Sequence, residues 1–160
     1  MSKKFVDQIR SNNQIAISKA ITSVESGDIL NKSFLDEIYK YSTSSLRIGI
    51  TGPPGAGKST LTDKLIDKFL QSNKSVGVIA VDPTSPFTGG ALLGDRVRMN
   101  NYLWNDDVFI RSLGARGELG GLSKKTQEIG DILAASGKDI IVYETVGVDQ
   151  GEHDIIKQVD

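Results

Sequence analysis

The sequence predicts a three-layer α/β fold: a mainly parallel sheet between helices, with a short helical extension at the N-terminus. Three observations carry this. From Leu46 onward, short apolar runs alternate with helix-patterned segments, the order that builds βαβ units. One of those runs, Val76-Gly-Val-Ile-Ala-Val81, has no polar side chain, as expected of a strand covered on both faces. Glycine marks two regions, since Gly27 alone of the 17 glycines precedes Gly49.

Residues 13–25 carry Ile17, Ala20, Ile21 and Val24 at helical spacing, which predicts an amphipathic helix. Ser33 is placed to cap a second helix with Phe34, Leu35, Ile38 and Tyr41 on one face. These helices read as a layer packed on the main domain, the alternative being an arm for a partner. Leu46–Thr51 reads as the first strand, followed by a glycine-rich loop and a helix with Leu61, Leu65 and Phe69 on its apolar stripe. Val76–Val81 is the second strand and Val108–Leu113 the third. A helix from about Lys124 to Ser136 turns Ile129, Ile132 and Leu133 inward, Asp139–Glu144 is the fourth strand, and a last helix begins near Glu152. Tyr102 and Trp104, near Met99, read as a packed helix face rather than a base-stacking platform.

A chain of 160 residues fits one domain. Its 19 basic and 20 acidic residues leave a net charge of -1, which argues against a broadly basic surface for nucleic acid or an anionic membrane. Met1-Ser-Lys-Lys leads into no apolar signal segment, and the longest apolar runs are too short for a bilayer. The absence of cysteine excludes disulfides and thiolate metal sites. The expectation is a soluble, cytoplasmic protein.

Gly52-Pro53-Pro54-Gly55-Ala56-Gly57-Lys58-Ser59 fits G-x-x-x-x-G-K-[ST], the P-loop, with Thr60 following. Glycines let successive backbone N–H groups curl around a phosphate, and the helix that opens at the loop turns its own unpaired N–H groups toward the same anion. Lys58 then reaches the β- and γ-phosphates, and Ser59 offers a hydroxyl to Mg²⁺. The fold expectation narrows to the P-loop NTPase class. Asp82 ends the second strand, where ligands collect in open α/β sheets, and can face Mg²⁺ directly or through water; the alternative is a turn or capping Asp before Pro83. Glu144 ends the fourth strand in Glu144-Thr-Val-Gly147, at the Walker B position, and Gly147 can give a backbone N–H to the γ-phosphate.

Five co-linear stretches resemble one family: Gly49–Thr60, Val81–Gly90, Leu93-Gly-Asp95-Arg96, Ser112–Ser123 and Glu144–Val148. They are similar to the methylmalonyl-CoA mutase-associated GTPases of the MeaB/ArgK type, older members of which were labelled ATPases or kinases of lysine/arginine/ornithine transport. Ala20–Ser26 resembles that family's N-terminal helix. The resemblance implies that Gly55 to Thr60 bind the β- and γ-phosphates of GTP or GDP, and that Ser59, Asp82, Asp95 and Glu144 serve Mg²⁺. It also implies switch segments at about 84–94 and 147–152, and an adenosylcobalamin-dependent mutase as partner. Gln150 is the candidate for positioning the attacking water, beside Lys58 as the charge-stabilising residue.

Two departures stand out. Where the family reads Val-Gly-Val-Gly-Gln-Ser-Glu, this chain has Val146-Gly-Val-Asp149-Gln-Gly151-Glu152, which adds a negative charge near the expected γ-phosphate. The family's guanine-reading Asn-Lys-x-Asp motif and its dimerisation region are expected beyond Asp160. Residues 1–45 therefore read as a helical extension and 46–160 as an incomplete P-loop G domain, better at holding phosphates than at discriminating bases. Its fourth strand is expected to present an open edge. The rival functions are a P-loop kinase or ATPase of basic amino-acid transport, and a non-catalytic nucleotide-binding fragment. Of the remaining residues, His153 reads as a solvated helix start rather than a metal ligand and Lys124-Lys125 as another helix start. Arg111 reads as a structural pairing residue, and Arg116 as either a structural residue or an arginine finger.

Overall fold

The computed structural model describes residues 3–27, 32–42, 44–53, 55–82, 100–102, 104–114, 119–145 and 159–160; for Asp82 and residues 119–123 it describes the backbone. Three helices come first: α1 (Lys3–Arg10), α2 (Gln14–Ser26) and α3 (Lys32–Tyr39). Asn13 starts α2 by accepting from the Ala16 N–H at 2.9 Å, and Gly27 ends it with a left-handed φ of 70°. Helix α1 was not expected from the sequence. Ser33 lies inside α3 rather than capping it, and Tyr41 falls beyond its end, with the Arg10 guanidinium 4.0 Å from its ring centre.

Alternation then follows: β1 (Leu46–Ile50), α4 (Lys58–Gln71), β2 (Val76–Asp82), β3 (Val108–Gly114), α5 (Leu119–Ala135) and β4 (Ile140–Thr145). The four strands are parallel in the order β1-β4-β2-β3. The expected open edge on the fourth strand is therefore wrong. Strand β4 lies between β1 and β2 and is buried along its whole length, as expected of an inner strand of a parallel sheet covered on both faces. The outer strands among the described residues are β1 and β3. Against β1, the Asp160 N–H donates to the Arg47 carbonyl at 3.0 Å, and the Arg47 N–H donates to the Asp160 carboxylate at 2.9 Å.

Strand alternation splits the core across the two faces. Val76, Val78, Val108, Ile140 and Val142 pack with Ile66 of α4 on one face. On the other, Ile79, Val81, Phe109, Ile141 and Tyr143 meet Ile129, Ile132 and Leu133 of α5. That second cluster continues into Ile9, Ile17, Ile21, Phe34 and Ile38, so α1–α3 share one core with the sheet and form an outer layer over α5. Gly77 makes the α5 packing possible, since a Cβ there would stand 3.0 Å from a Leu133 methyl and 3.2 Å from one of Ile141.

Two packing expectations need correction. The inward positions of α4 are Thr62 and Ile66, flanked by half-buried Leu65 and Phe69, whereas Leu61 is 52% exposed. The Thr62 hydroxyl answers the Lys58 carbonyl one turn back at 3.0 Å, which lets a polar residue occupy the buried stripe. Trp104 is 93% exposed, because it lies in the turn entering β3 rather than on a packed helix; its neighbour Tyr102 donates to Asp67 at 2.9 Å. The helix expected near Glu152 lies outside the described residues. No helix among the described residues is long and apolar enough to cross a membrane.

Candidate functional site

Register places the site. Ile50, the last residue of β1, pairs with Glu144 of β4, so the glycine-rich loop leaves the sheet level with that carboxylate. Gly55 and Gly57 hold φ of 78° and 85°, left-handed values that glycine accepts without strain. Gly57 caps α4 with no side-chain hydrogen bond, so the first-turn N–H groups are not taken up by a capping side chain. Helix α4 opens with Lys58, Ser59 and Thr60, which fixes two chemical groups at the loop.

The Lys58 ammonium donates to the carbonyls of Gly52 at 2.6 Å and Pro53 at 2.9 Å. The Ser59 hydroxyl donates to Glu144 Oε1 at 2.6 Å. Glu144 is only 7% exposed, so its carboxylate needs charge or hydrogen-bond partners, and Ser59 is one of them. One residue further along each strand, the Thr145 hydroxyl donates to the Thr51 hydroxyl at 2.8 Å. Both threonines lie inside the Gly49–Thr60 and Glu144–Val148 stretches, but nothing in the sequence gave either of them a role.

The donors that meet here are a hydroxyl and a carboxylate, oxygen ligands of the kind Mg²⁺ takes. Mg²⁺ retains several waters and needs few protein groups, so the pair fits it. Among the described residues no three His, Cys, Asp or Glu side chains gather. The Asp82 backbone ends β2 opposite Gly114, on the same edge of the sheet, but its side chain is not described. Pro54, Asp95, Gly147, Gln150, Asp149, Arg116 and His153 lie outside the described residues.

Arg111 has a structural partner. Its guanidinium pairs with Glu25 and donates to Thr22 at 3.3 Å, tying β3 to α2. Lys124 and Lys125 lie within α5 rather than at its start, because the helix begins at Leu119. Lys125 donates to the Glu25 carbonyl at 3.3 Å, and Lys124 stands 3.8 Å from Glu128. Lys138 was missed altogether: it is buried, with its ammonium on the Asp106 carbonyl at 2.7 Å, and burial pulls its pKa down. The Asn12 and Gln14 side-chain amides reach the same carbonyl at 3.0 and 3.3 Å.

A parallel sheet whose first strand runs into a glycine-rich loop and helix, with the neighbouring strand's acid on that helix's first serine, defines a P-loop nucleotide-binding protein. The chain belongs to the methylmalonyl Co-A mutase-associated GTPase MeaB family, which matches residues 17–160. A relative from Pyrococcus horikoshii is 51% identical over 157 residues, covering 98% of this chain and 50% of its own. The GTPase ArgK of Escherichia coli is 39% identical over 159 residues, 97% of this chain and 48% of that one. The mitochondrial methylmalonic aciduria type A homolog of Caenorhabditis elegans is 35% identical over 173 aligned positions, 99% of this chain and 43% of that one. A crystal structure described as an LAO/AO transport system kinase superposes with a TM-score of 0.79 at 29% identity, covering 99% of this chain and 49% of that one. The chain spans about half the length of these relatives.

Proposed function

We propose that this chain binds GTP with Mg²⁺ and hydrolyses it to GDP, in the service of an adenosylcobalamin-dependent methylmalonyl-CoA mutase in the cytoplasm. The observation that carries the catalytic part is the meeting of Ser59 and Glu144 at 2.6 Å beside the Lys58 ammonium. Support for the nucleotide and the partner comes from the family description and the names of the ArgK and methylmalonic aciduria relatives.

On this reading, Lys58 exchanges the Gly52 and Pro53 carbonyls for β- and γ-phosphate oxygens, so its charge stays compensated throughout. Backbone N–H groups from Gly55 to Thr60 hold the phosphate ends, while Gly52, Pro53, Pro54, Ala56 and Gly57 shape the turn. Ser59 and Glu144, with Asp82 and Asp95, hold Mg²⁺, which when bound neutralises charge on the phosphates. By the family resemblance, a Gly147 N–H would serve the γ-phosphate and Gln150 would orient the water. In a loose transition state, positioning and electrostatics of this kind supply most of the acceleration.

The crystal structure described as a transport system kinase favours one alternative, transfer of the phosphoryl group to an acceptor in basic amino-acid transport. One experiment separates the two. Phosphate release from GTP and ATP is followed with Mg²⁺, with EDTA, and with the mutase added. Hydrolysis requires Mg²⁺-dependent inorganic phosphate from GTP, altered by the mutase. Label that stays on an added basic amino acid would establish the kinase, and no release from either nucleotide would remove the hydrolase.

A further inference from the structure

Three hydrogen bonds at the mouth of the site join three pairs of consecutive residues into a closed ring. Thr51 is followed by Gly52, whose carbonyl accepts from Lys58 at 2.6 Å. Lys58 is followed by Ser59, whose hydroxyl donates to Glu144 at 2.6 Å. Glu144 is followed by Thr145, whose hydroxyl returns to Thr51 at 2.8 Å.

The links are not equivalent. A bound triphosphate competes for Lys58, and a bound divalent cation competes for Ser59 and Glu144. Neither ligand has a claim on the hydroxyl–hydroxyl bond. It lies one residue past the Ile50–Glu144 pair, the last pair of the β1–β4 ladder, so it extends the fixed part of the sheet by one step. Thr145 is 5% exposed and Glu144 7% exposed, whereas Thr51 is exposed, so the bond fastens the outer residue of the loop mouth to a buried residue of the sheet.

We infer that Thr51 and Thr145 are positioning residues: their bond holds the P-loop mouth and Glu144 at a constant separation when ligands open the other two links. The proposal rests on the reading of the loop as a triphosphate and Mg²⁺ site, and it gives a role to two residues to which the motif pattern assigns none. The expected effect falls on the Glu144-dependent part of the function and not on phosphate binding as such.

The test uses full-length protein carrying Thr145→Val, Thr51→Val, both together, or Thr145→Ser. Two quantities are measured: GTP turnover, and the gain in affinity for a non-hydrolysable GTP analogue when Mg²⁺ replaces EDTA. Each valine variant should lower kcat and the Mg²⁺ gain by about tenfold, the order expected for losing one aligned hydrogen bond. KM and metal-free GDP affinity should move less than about twofold. The double variant should be no worse than either single one, because one bond cannot be lost twice. T145S should restore wild-type values. Full activity in T145V would overturn the proposal, as would additive losses or a parallel fall of kcat, GDP affinity and thermal midpoint that serine does not rescue. If wild-type protein binds with a Mg²⁺ gain but does not turn over, only the hydrolase reading fails, and the Mg²⁺ gain of the variants decides. If no form gains affinity from Mg²⁺, the pair has no such role.

Discussion

The Ser59 hydroxyl donates to the Glu144 carboxylate at 2.6 Å, joining the first turn of α4 to the end of β4. A buried acid and a helix-initiating serine thereby occupy one corner of the sheet, beside the lysine that the loop's own carbonyls hold.

Glu144→Gln keeps an oxygen acceptor for Ser59 and removes the negative charge. The protein should fold with little change in thermal midpoint, and Mg²⁺-dependent phosphate release should fall by about a hundredfold, the scale on which one charge-stabilising group acts. Metal-free GDP binding should stay near the wild-type value. Calorimetric titration with and without Mg²⁺, beside a phosphate-release assay, checks both halves.

Gly130→Ala should destabilise the protein although it lies in a helix. Alanine ordinarily gains about 1 kcal/mol over glycine there. Here a Cβ would fall 1.9 Å from the Tyr143 hydroxyl, and Tyr143 is fully buried, so the ring has nowhere to move. Overpacking of this kind costs about 1–3 kcal/mol and should outweigh the propensity gain. Urea midpoints should show a net loss, recovered in part when Tyr143→Phe is combined with Gly130→Ala.

Arg47 and Asp131 form an ion pair at 2.5 Å with side chains only 15% and 13% exposed. Burial works against the Arg47 charge, but Asp131 and Tyr143 outweigh it and hold the guanidinium above its ordinary pKa. Removing the acid alone strands a buried cation. Asp131→Leu should therefore cost about 3–5 kcal/mol, and the double change Arg47→Met with Asp131→Leu should cost clearly less. Denaturant unfolding of the three variants gives the comparison.

Burial pushes the Tyr143 hydroxyl from its ordinary 10.0 up to about 12. The unfolded chain then gives up this proton near pH 10 while the folded chain keeps it. The contribution is whole below pH 10, declines through the interval and is gone above 12, about 3 kcal/mol for two units. Lys138, whose pKa burial lowers, gives the opposite slope below its unfolded value, but it does so in Tyr143→Phe as well. Urea unfolding at successive pH values should therefore show the wild type losing stability relative to Y143F above pH 10.

The strands and the loop were legible because each is written locally. Val76–Val81 is apolar throughout, and the P-loop glycines stand at the positions where backbone must approach an anion. What was not legible depends on neighbours. The central place of β4 follows from crossovers that no strand encodes by itself, and it is what brings Glu144 beside Ser59. The stripe of α4 was read through Leu61, because Thr62 looks polar until its hydroxyl finds the Lys58 carbonyl. Trp104 reads, with Tyr102, as part of a packed helix face, yet it lies in the turn entering β3, which carries it into solvent. Helix α1 begins with two lysines, which hid the inward positions Val6 and Ile9.

The most direct test of the site is the Mg²⁺ dependence of triphosphate binding in Ser59→Ala. In the wild type, Mg²⁺ should tighten binding of a non-hydrolysable GTP analogue relative to EDTA. In S59A, calorimetry should give affinities that differ by less than about threefold between Mg²⁺ and EDTA, with metal-free GDP binding retained, since the loop's N–H groups and Lys58 are untouched. An S59A chain that gains as much affinity from Mg²⁺ as the wild type would contradict the assignment of this corner as the metal and phosphate site.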